Sequence, residues 1–361
     1  MTISLNKELF SNLKQYKEVS KWLELAEAGK IPDALIRTGI RELLRKRLQE
    51  ELVNDPEAQQ ERHATLIEEL RQSPIAIETD AANEQHYEVP TAFYLKSLGK
   101  HLKYSCCYYP EGCDDLNEAE TAMLALYLQR AELSDGMSIL ELGCGWGSLT
   151  LWMARHLPNA KITAVSNSAT QREHIITECE KLGLDNVEVI TKDVNQLKLK
   201  KKFDRVISIE MFEHMRNYQT LLSNVASWLK PNGKLFVHIF CHRFLQYPFE
   251  VNGDDDWMSK YFFSGGLMPS SDTLLHFQDD LKLQRRWHVD GTHYERTCNH
   301  WLENTDRHRD IIIKIFKESY SEKEAEIWLQ RWRIFFMACA ELFGYKNGRE
   351  WIVAHYLFEK R

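Results

Sequence analysis

From residue 137 onward, short apolar runs alternate with longer stretches whose apolar residues recur at helical spacing. The runs predict strands at 137–142, 161–166, 187–191, 203–209 and 234–240, with helices at 148–156, about 169–182 and about 217–229. Pro231-Asn232-Gly233 supplies the turn into the fifth strand. Strand alternating with helix argues for a parallel sheet covered on both faces, with ligands lying beyond the carboxyl ends of its strands. Upstream, residues 1 to about 75 read as helices. Leu5, Leu9, Leu13 and Tyr16 recur at helical spacing, as do Ile36, Ile40, Leu43, Leu44, Leu48 and Leu52, with charged residues between them. The basic cluster of Arg37, Arg41, Arg45, Lys46 and Arg47 is interleaved with acids and reads as a solvated face. Residues 118–130 form a further helix with Asn117 as its N-cap. After the fifth strand the pattern breaks: an irregular stretch at 243–280, a strand at 281–290, a tryptophan-rich helical region at 295–345 and a last strand at 351–358. The expected organisation is a helical cap over 1–80 and one α/β domain over 81–361, with inserts at about 243–280 and 295–345.

Composition changes this picture little. The 361 residues are 43% hydrophobic and 27% charged, as in an ordinary soluble protein. The net charge of −7 argues against a nucleic-acid partner. The N-terminus lacks a signal-peptide core, and no run approaches the ~20 apolar residues that span a bilayer, so stable membrane insertion is not expected. Eight cysteines carry no CxxC pair, which points to reduced thiols in a cytoplasmic enzyme and to no metal site.

Candidate chemistry gathers at the strand ends. The first strand runs into Glu141-Leu-Gly-Cys-Gly-Trp-Gly147, in which alternate glycines suit a tight turn and a close ligand approach. A helix follows whose amides face that ligand. A dinucleotide site would want an acid about 20 residues on, at the end of the next strand. That strand ends instead in Ser166-Asn167-Ser168. The fourth strand ends in Glu210, with Glu213 and His214 three and four residues on, sharing a face if a helical turn begins there. Two carboxylates and an imidazole at a binding edge suit removal of a proton, against the plainer reading of an ionic cluster capping a helix. Tyr261, Phe262, Trp328, Trp332 and Phe335 are candidates to hold a cation by their ring faces, although core packing accounts for any one of them. His238 reads by default as a hydrogen-bonded core residue. The aromatic segment from His86-Tyr87 to Tyr109 could wrap over a cofactor.

Taken together, these motifs resemble the cyclopropane-fatty-acid-synthase-like methyltransferases, and within them the coclaurine, pavine and tetrahydroprotoberberine N-methyltransferases. The resemblance covers about residues 80–361 and rests on His86-Tyr87, Tyr104-Ser-Cys-Cys-Tyr, the glycine loop, Ser166-Asn-Ser, Glu210-Met-Phe-Glu-His-Met and Leu342-Phe-Gly-Tyr-Lys-Asn-Gly. It implies a Rossmann-like class I methyltransferase: an α/β fold with a seven-stranded, mostly parallel sheet, a helical N-terminal cap and helical lid inserts. It implies S-adenosylmethionine as cofactor, held by Tyr104, Ser105, Glu141, Gly143, Gly145, Asn167, Gln171, Asp193 and Val194. Catalysis would fall to Glu210, Glu213 and His214. Combined with the aromatic candidates above, the acceptor, a small aromatic or cyclic amine, is expected to meet Tyr87, Cys106, His238, Tyr261, Phe262, Tyr294 and Trp332. A homodimer is left open. The lipid-modifying members use a bicarbonate ion as base, at positions that match Cys106, Glu213, His238 and Tyr294, and carry a small residue where this chain has Glu210. Glu210 therefore favours amine methylation, and His238 leans towards C-methylation of unsaturated lipid.

Overall fold

The computed structural model describes residues 21–77, 89–249, 257–263 and 265–361. Its main sheet has seven strands: β1 (Ser138–Leu142), β2 (Lys161–Ser166), β3 (Val187–Thr191), β4 (Phe203–Ile209), β5 (Leu229–His242), β8 (Leu281–Val289) and β9 (Trp351–Lys360), while β6 (Tyr247–Pro248) and β7 (Leu267–Met268) pair separately. The order across the main sheet is β3-β2-β1-β4-β5-β9-β8. The first five strands are mutually parallel, and β9 runs antiparallel between β5 and β8. The winding direction reverses between β1 and β4, the place where such sheets open a crevice for ligands.

Side chains alternate across each strand, so the sheet carries a core on each face. Ile139, Ile207 and Phe236 join one core with Met123 and Tyr127 of the helix Leu116–Arg130 and with Leu149 and Met153 of the helix Ser148–His156. Leu140, Val206 and Val237 join the other with Leu221 and Val225 of the helix Tyr218–Trp228. β5 outruns its apolar stretch at both ends, because Leu229 pairs with Phe203 of β4 and β9 pairs with it from Lys234↔Glu359 to His242↔Trp351. That register sets His238 directly opposite His355, and β4 sets Ile209 beside His238.

Several boundaries differ from the sequence expectation. The helix over 118–130 begins at Leu116, because the Asp115 side chain caps it by accepting from Glu118 N. Asn117 instead accepts from Lys100 N at 2.8 Å. The region 295–345 is three helices, Gly291–Arg307, Arg309–Lys317 and Glu322–Gly344, the last opened by a capping box between Ser321 and Glu324. Among the upstream helices, Asp33–Glu51 buries Ile36 and packs Ile40, Leu44 and Leu48 against the core, leaving Leu43 exposed, as is Leu52 just past its end. Its basic residues are paired with acids, Arg37 and Arg41 both with Glu341 at 2.9 and 2.7 Å. The expected helical pattern at Leu5–Tyr16 lies outside the described residues. No helix among the described residues is long and apolar enough to cross a membrane.

Candidate active site

The loop after β1 carries positive φ at Gly143 (77°), Gly145 (50°) and Gly147 (80°), a region that costs side-chain-bearing residues energy. A Cβ on Gly143 would lie 2.8 Å from Met211, and one on Gly147 would lie 2.6 Å from Ile175. Around Gly145 nothing lies within 4 Å, so there the backbone faces open space. That space is a cavity of about 190 Å³ lined by Tyr104, Ser105, Glu141, Gly143, Gly145, Gln171, Glu210, Glu213, His214 and Tyr294, with apolar walls from Phe240, Phe249, Phe263, Phe335 and Phe343. An adjoining cavity of about 90 Å³ is lined by Asn167, Asp193 and Val194, and shares Gly143, Gly145, Gln171, Glu210 and His214 with the first. One continuous cleft thus runs from the β2 and β3 ends, past the glycine loop, to an aromatic chamber. At the loop, the buried Ser148 Oγ has no hydrogen-bond partner among the described residues. Glu141 is buried and accepts from Thr150 Oγ1 at 2.5 Å, and burial pushes its carboxyl up to about 8. A glycine backbone open to the cleft, an unsatisfied hydroxyl at a helix start and a flanking polar pocket fit a nucleoside-linked amino acid.

The acidic cluster is arranged differently from a helical turn. Glu210 takes a left-handed conformation (φ 45°), and a short 3-10 turn, Phe212–His214, follows it. A non-glycine residue held there is strain of the kind found at functional sites. Both of its carboxylate oxygens are occupied. Oε1 accepts from Cys106 N at 3.0 Å and from His238 Nε2 at 2.9 Å, and Oε2 accepts from the Tyr294 hydroxyl at 2.5 Å. Burial raises this carboxyl, while the Lys103 ammonium, the Tyr294 hydroxyl and the Cys106 amide oppose that rise. Lys103 is itself buried, donating to Ser105 Oγ and to Cys106 O, above the Tyr127 ring. Glu213 is the contrast. It is buried, its Oε2 has no hydrogen-bond partner among the described residues, and burial together with the Glu210 charge pushes it well above the ordinary carboxylate range. His214 walls both cavities and stacks on Phe263, ring centroids 4.5 Å apart.

The expected site residues divide by position. The nine cofactor candidates line the two cavities; of the three catalytic candidates, Glu210 and His214 line both and Glu213 lines the first. Cys106, His238 and Tyr294 gather on the Glu210 carboxylate. Tyr261, Phe262 and Trp332 do not line the cleft: Phe262 stacks behind Phe335 at 4.5 Å, Trp332 packs against Phe262 and Phe93, and Tyr261 lies under the Arg331 guanidinium. Which face of a helix points inward decided this, and the composition of those segments does not reveal it. Tyr87 lies outside the described residues. Sequence reasoning missed Lys103, whose only signal was its place beside Tyr104, and missed Tyr127, His355 and Arg130, which carried none.

A sheet of this order, with a glycine loop at the central strand and a cleft across the switch point, is that of a class I S-adenosylmethionine-dependent methyltransferase. The chain belongs to the mycolic acid cyclopropane synthetase family, whose model matches residues 76–350. It is 40% identical to (S)-coclaurine N-methyltransferase of Thalictrum flavum subsp. glaucum over 343 residues, covering 94% of this chain and 95% of that one. It is 35% identical to pavine N-methyltransferase of the same plant, covering 96% of this chain and 99% of that one. A crystal structure of coclaurine N-methyltransferase bound to N-methylheliamine and SAH superposes with a TM-score of 0.91 at 39% identity, covering 95% of this chain and all of that one. The chain is an S-adenosylmethionine-dependent methyltransferase.

Proposed function

We propose that this enzyme N-methylates a small aromatic or cyclic amine, with Glu210 holding the substrate cation and Glu213 removing its proton. The observation that carries the reading is the unequal pair of carboxylates at the mouth of an aromatic chamber. Bound S-adenosylmethionine supplies an electrophilic methyl group on a sulfonium. The residues must supply a nitrogen with a free lone pair, facing that methyl. Glu210, fixed by three donors, is suited to stay an anion and attract an ammonium. Glu213 has an oxygen with no partner, and burial together with the Glu210 charge raises its carboxyl, which makes its ionised form a stronger proton acceptor than an ordinary carboxylate. The arriving cation favours its ionised form, and burial keeps that form basic enough to take the proton. Phe240, Phe263 and Tyr294 present rings to the same space and can stabilise the cation. The N-methyltransferase names of the relatives support the same reading.

A bicarbonate-dependent lipid reaction is less well served. The Cys106, His238 and Tyr294 positions that the resemblance assigns to bicarbonate are already engaged by the Glu210 carboxylate, which leaves His238 compatible with amine chemistry. The discriminating experiment is transfer of tritiated methyl to a panel of benzylisoquinoline and phenylalkyl amines, against unsaturated phospholipid vesicles with and without bicarbonate. Label is expected in amines, independent of bicarbonate. Label only in lipid, and only with bicarbonate, would overturn the proposal. Glu213→Gln should lower kcat by ~10²–10⁴, the range of a general base, and abolish the rise of kcat with pH. A variant with wild-type kcat would remove Glu213 from that role.

A further inference from the structure

We propose that Arg130 and His355 are positioning residues that lock His238 in the tautomer with its proton on Nε2, so that it always donates to Glu210. The proposal rests on the amine-methylation reading for its functional consequence, and on the hydrogen-bond geometry alone for the tautomer. The chain begins at Arg130, whose Nη1 lies 2.8 Å from His355 Nδ1. A guanidinium only donates, so His355 Nδ1 must be the acceptor. His355 is fully buried, and burial with the His238, Arg130 and Lys103 neighbours keeps it neutral, so its proton sits on Nε2. That nitrogen is 2.9 Å from His238 Nδ1 and donates to it. His238 is buried and neutral for the same reasons, so its own proton sits on Nε2, 2.9 Å from Glu210 Oε1. Each link follows from the one before, and the first cannot be reversed.

Tyr127 adds a second contact to His238 Nδ1, its hydroxyl at 2.9 Å. A tyrosine hydroxyl can donate or accept, so it follows the tautomer and does not set it. Arg130 is the polar end that sets it. The same property excludes a proton wire: a guanidinium does not take up a proton, so nothing can be passed from Glu210 along this chain. The device holds one carboxylate as a hydrogen-bonded anion and leaves proton removal to Glu213. The two histidines meet because β5 and β9 pair His238 with His355. The other groups facing Glu210 are Lys103, Cys106 and Cys107 from the preceding segment, Glu213 after β4, and Tyr294 and Cys298 from the helix Gly291–Arg307. Among these, only Lys103 brings a positive charge.

The test reads the tautomer directly, by ¹⁵N NMR of histidine-labelled protein, with the His238 signals identified by their loss in His238→Gln. It needs neither substrate nor turnover, so a failure of the amine reading leaves it intact. The wild type should show one neutral form with the proton on Nε2. His355→Gln keeps an acceptor for Arg130 and a donor for His238, and should preserve both tautomer and activity. His355→Glu, ionised beside Arg130, offers only acceptors and should place a proton on His238 Nδ1, as the Nδ1 tautomer or as the imidazolium. kcat for whichever acceptor carries label should then fall about 10-fold or more and its pH profile should shift, short of the ~10²–10⁴ that a proton-transfer group supplies. Arg130→Gln, whose amide can donate or accept, should give a mixture of tautomers, and it carries the test should His355→Glu fail to fold. A wild-type His238 protonated on Nδ1, or exchanging between forms, would overturn the lock. A moved proton with kcat and pH profile unchanged would overturn its role.

Discussion

At the scale of single residues, the cleft gives chemically identical groups different surroundings. Glu210 has three donors and a buried ammonium nearby, whereas Glu213 has an oxygen with none, so two carboxylates three positions apart differ in how strongly each would hold a proton. Glu141 extends the pattern, since its one side-chain donor, Thr150, does not offset complete burial. Its carboxyl stands at about 8 in the fold against an ordinary 4.5. Between those values the folded chain binds a proton that the unfolded chain has released, so this group's contribution is fully present below the lower value and lost as pH rises towards the upper. Glu141→Gln, which keeps an oxygen for Thr150, should therefore flatten the fall of Tm across pH 5 to 8 and gain stability over wild type as pH rises. Glu120 at about 7 and Glu213 carry the same sign, so some slope should remain. Parallel Tm curves for wild type and variant would show that Glu141 is already ionised in the fold.

At the scale of elements, the strand–loop–helix from Ser138 to His156 divides its glycines between architecture and function. Gly143 and Gly147 are small because Met211 and Ile175 press on them, whereas Gly145 is small towards empty cleft. Gly145→Ala should cost only the ~1–2 kcal/mol of a left-handed alanine, a Tm loss of a few degrees, because no protein atom stands in the way. Its methyl group would project into the cleft, so affinity for S-adenosylhomocysteine by calorimetry should drop at least about tenfold, the equivalent of ~1.4 kcal/mol. Gly147→Ala should show the reverse emphasis, with a larger Tm loss from its contact with Ile175. Retained affinity in Gly145→Ala would place the ligand elsewhere. This element was legible in the sequence because everything that specifies it is local: an apolar run, three spaced glycines and a helical pattern. The cleft-lining residues at the ends of β1 and β4 were legible for the same reason. The Glu210–His238–His355–Arg130 chain was not, because it depends on an antiparallel register between β5 and a strand more than a hundred residues later, and no local pattern encodes a register. Helix caps failed for a smaller reason: Asp115 and Asn117 are both good caps by type, and the contact with Lys100 decides between them.

At the scale of the molecule, the aromatic chamber is closed by segments far apart in the chain, and Glu27 is where three of them meet. Its Oε1 accepts from Trp257 Nε1 at 2.7 Å and its Oε2 accepts from Arg331 at 2.9 Å. Arg331 in turn lies 4.1 Å from the Tyr261 ring centroid and 5.0 Å from that of Trp328. One carboxylate near the start of the described chain thus ties the insert that carries Met258 and Phe263 to the long helix that carries Phe335, and these three side chains line the chamber. Tyr261, Phe262 and Trp332 take part in this brace from behind the wall, which gives the sequence's aromatic richness a structural use. The glycine loop and the Asn167–Asp193 pocket lie in the sheet domain, outside this brace. The two halves of the cleft should therefore respond differently to Glu27→Ala. Losing two hydrogen bonds, one of them to a charged partner, removes about 2–4 kcal/mol from the brace. The amine KM should rise several-fold to tenfold, with S-adenosylhomocysteine affinity within twofold of wild type. Glu27→Gln, which retains an acceptor for one partner, should fall between. An equal loss of amine and cofactor binding would mean that the helical cap and inserts support the sheet domain as a whole, and that the chamber has no separate brace.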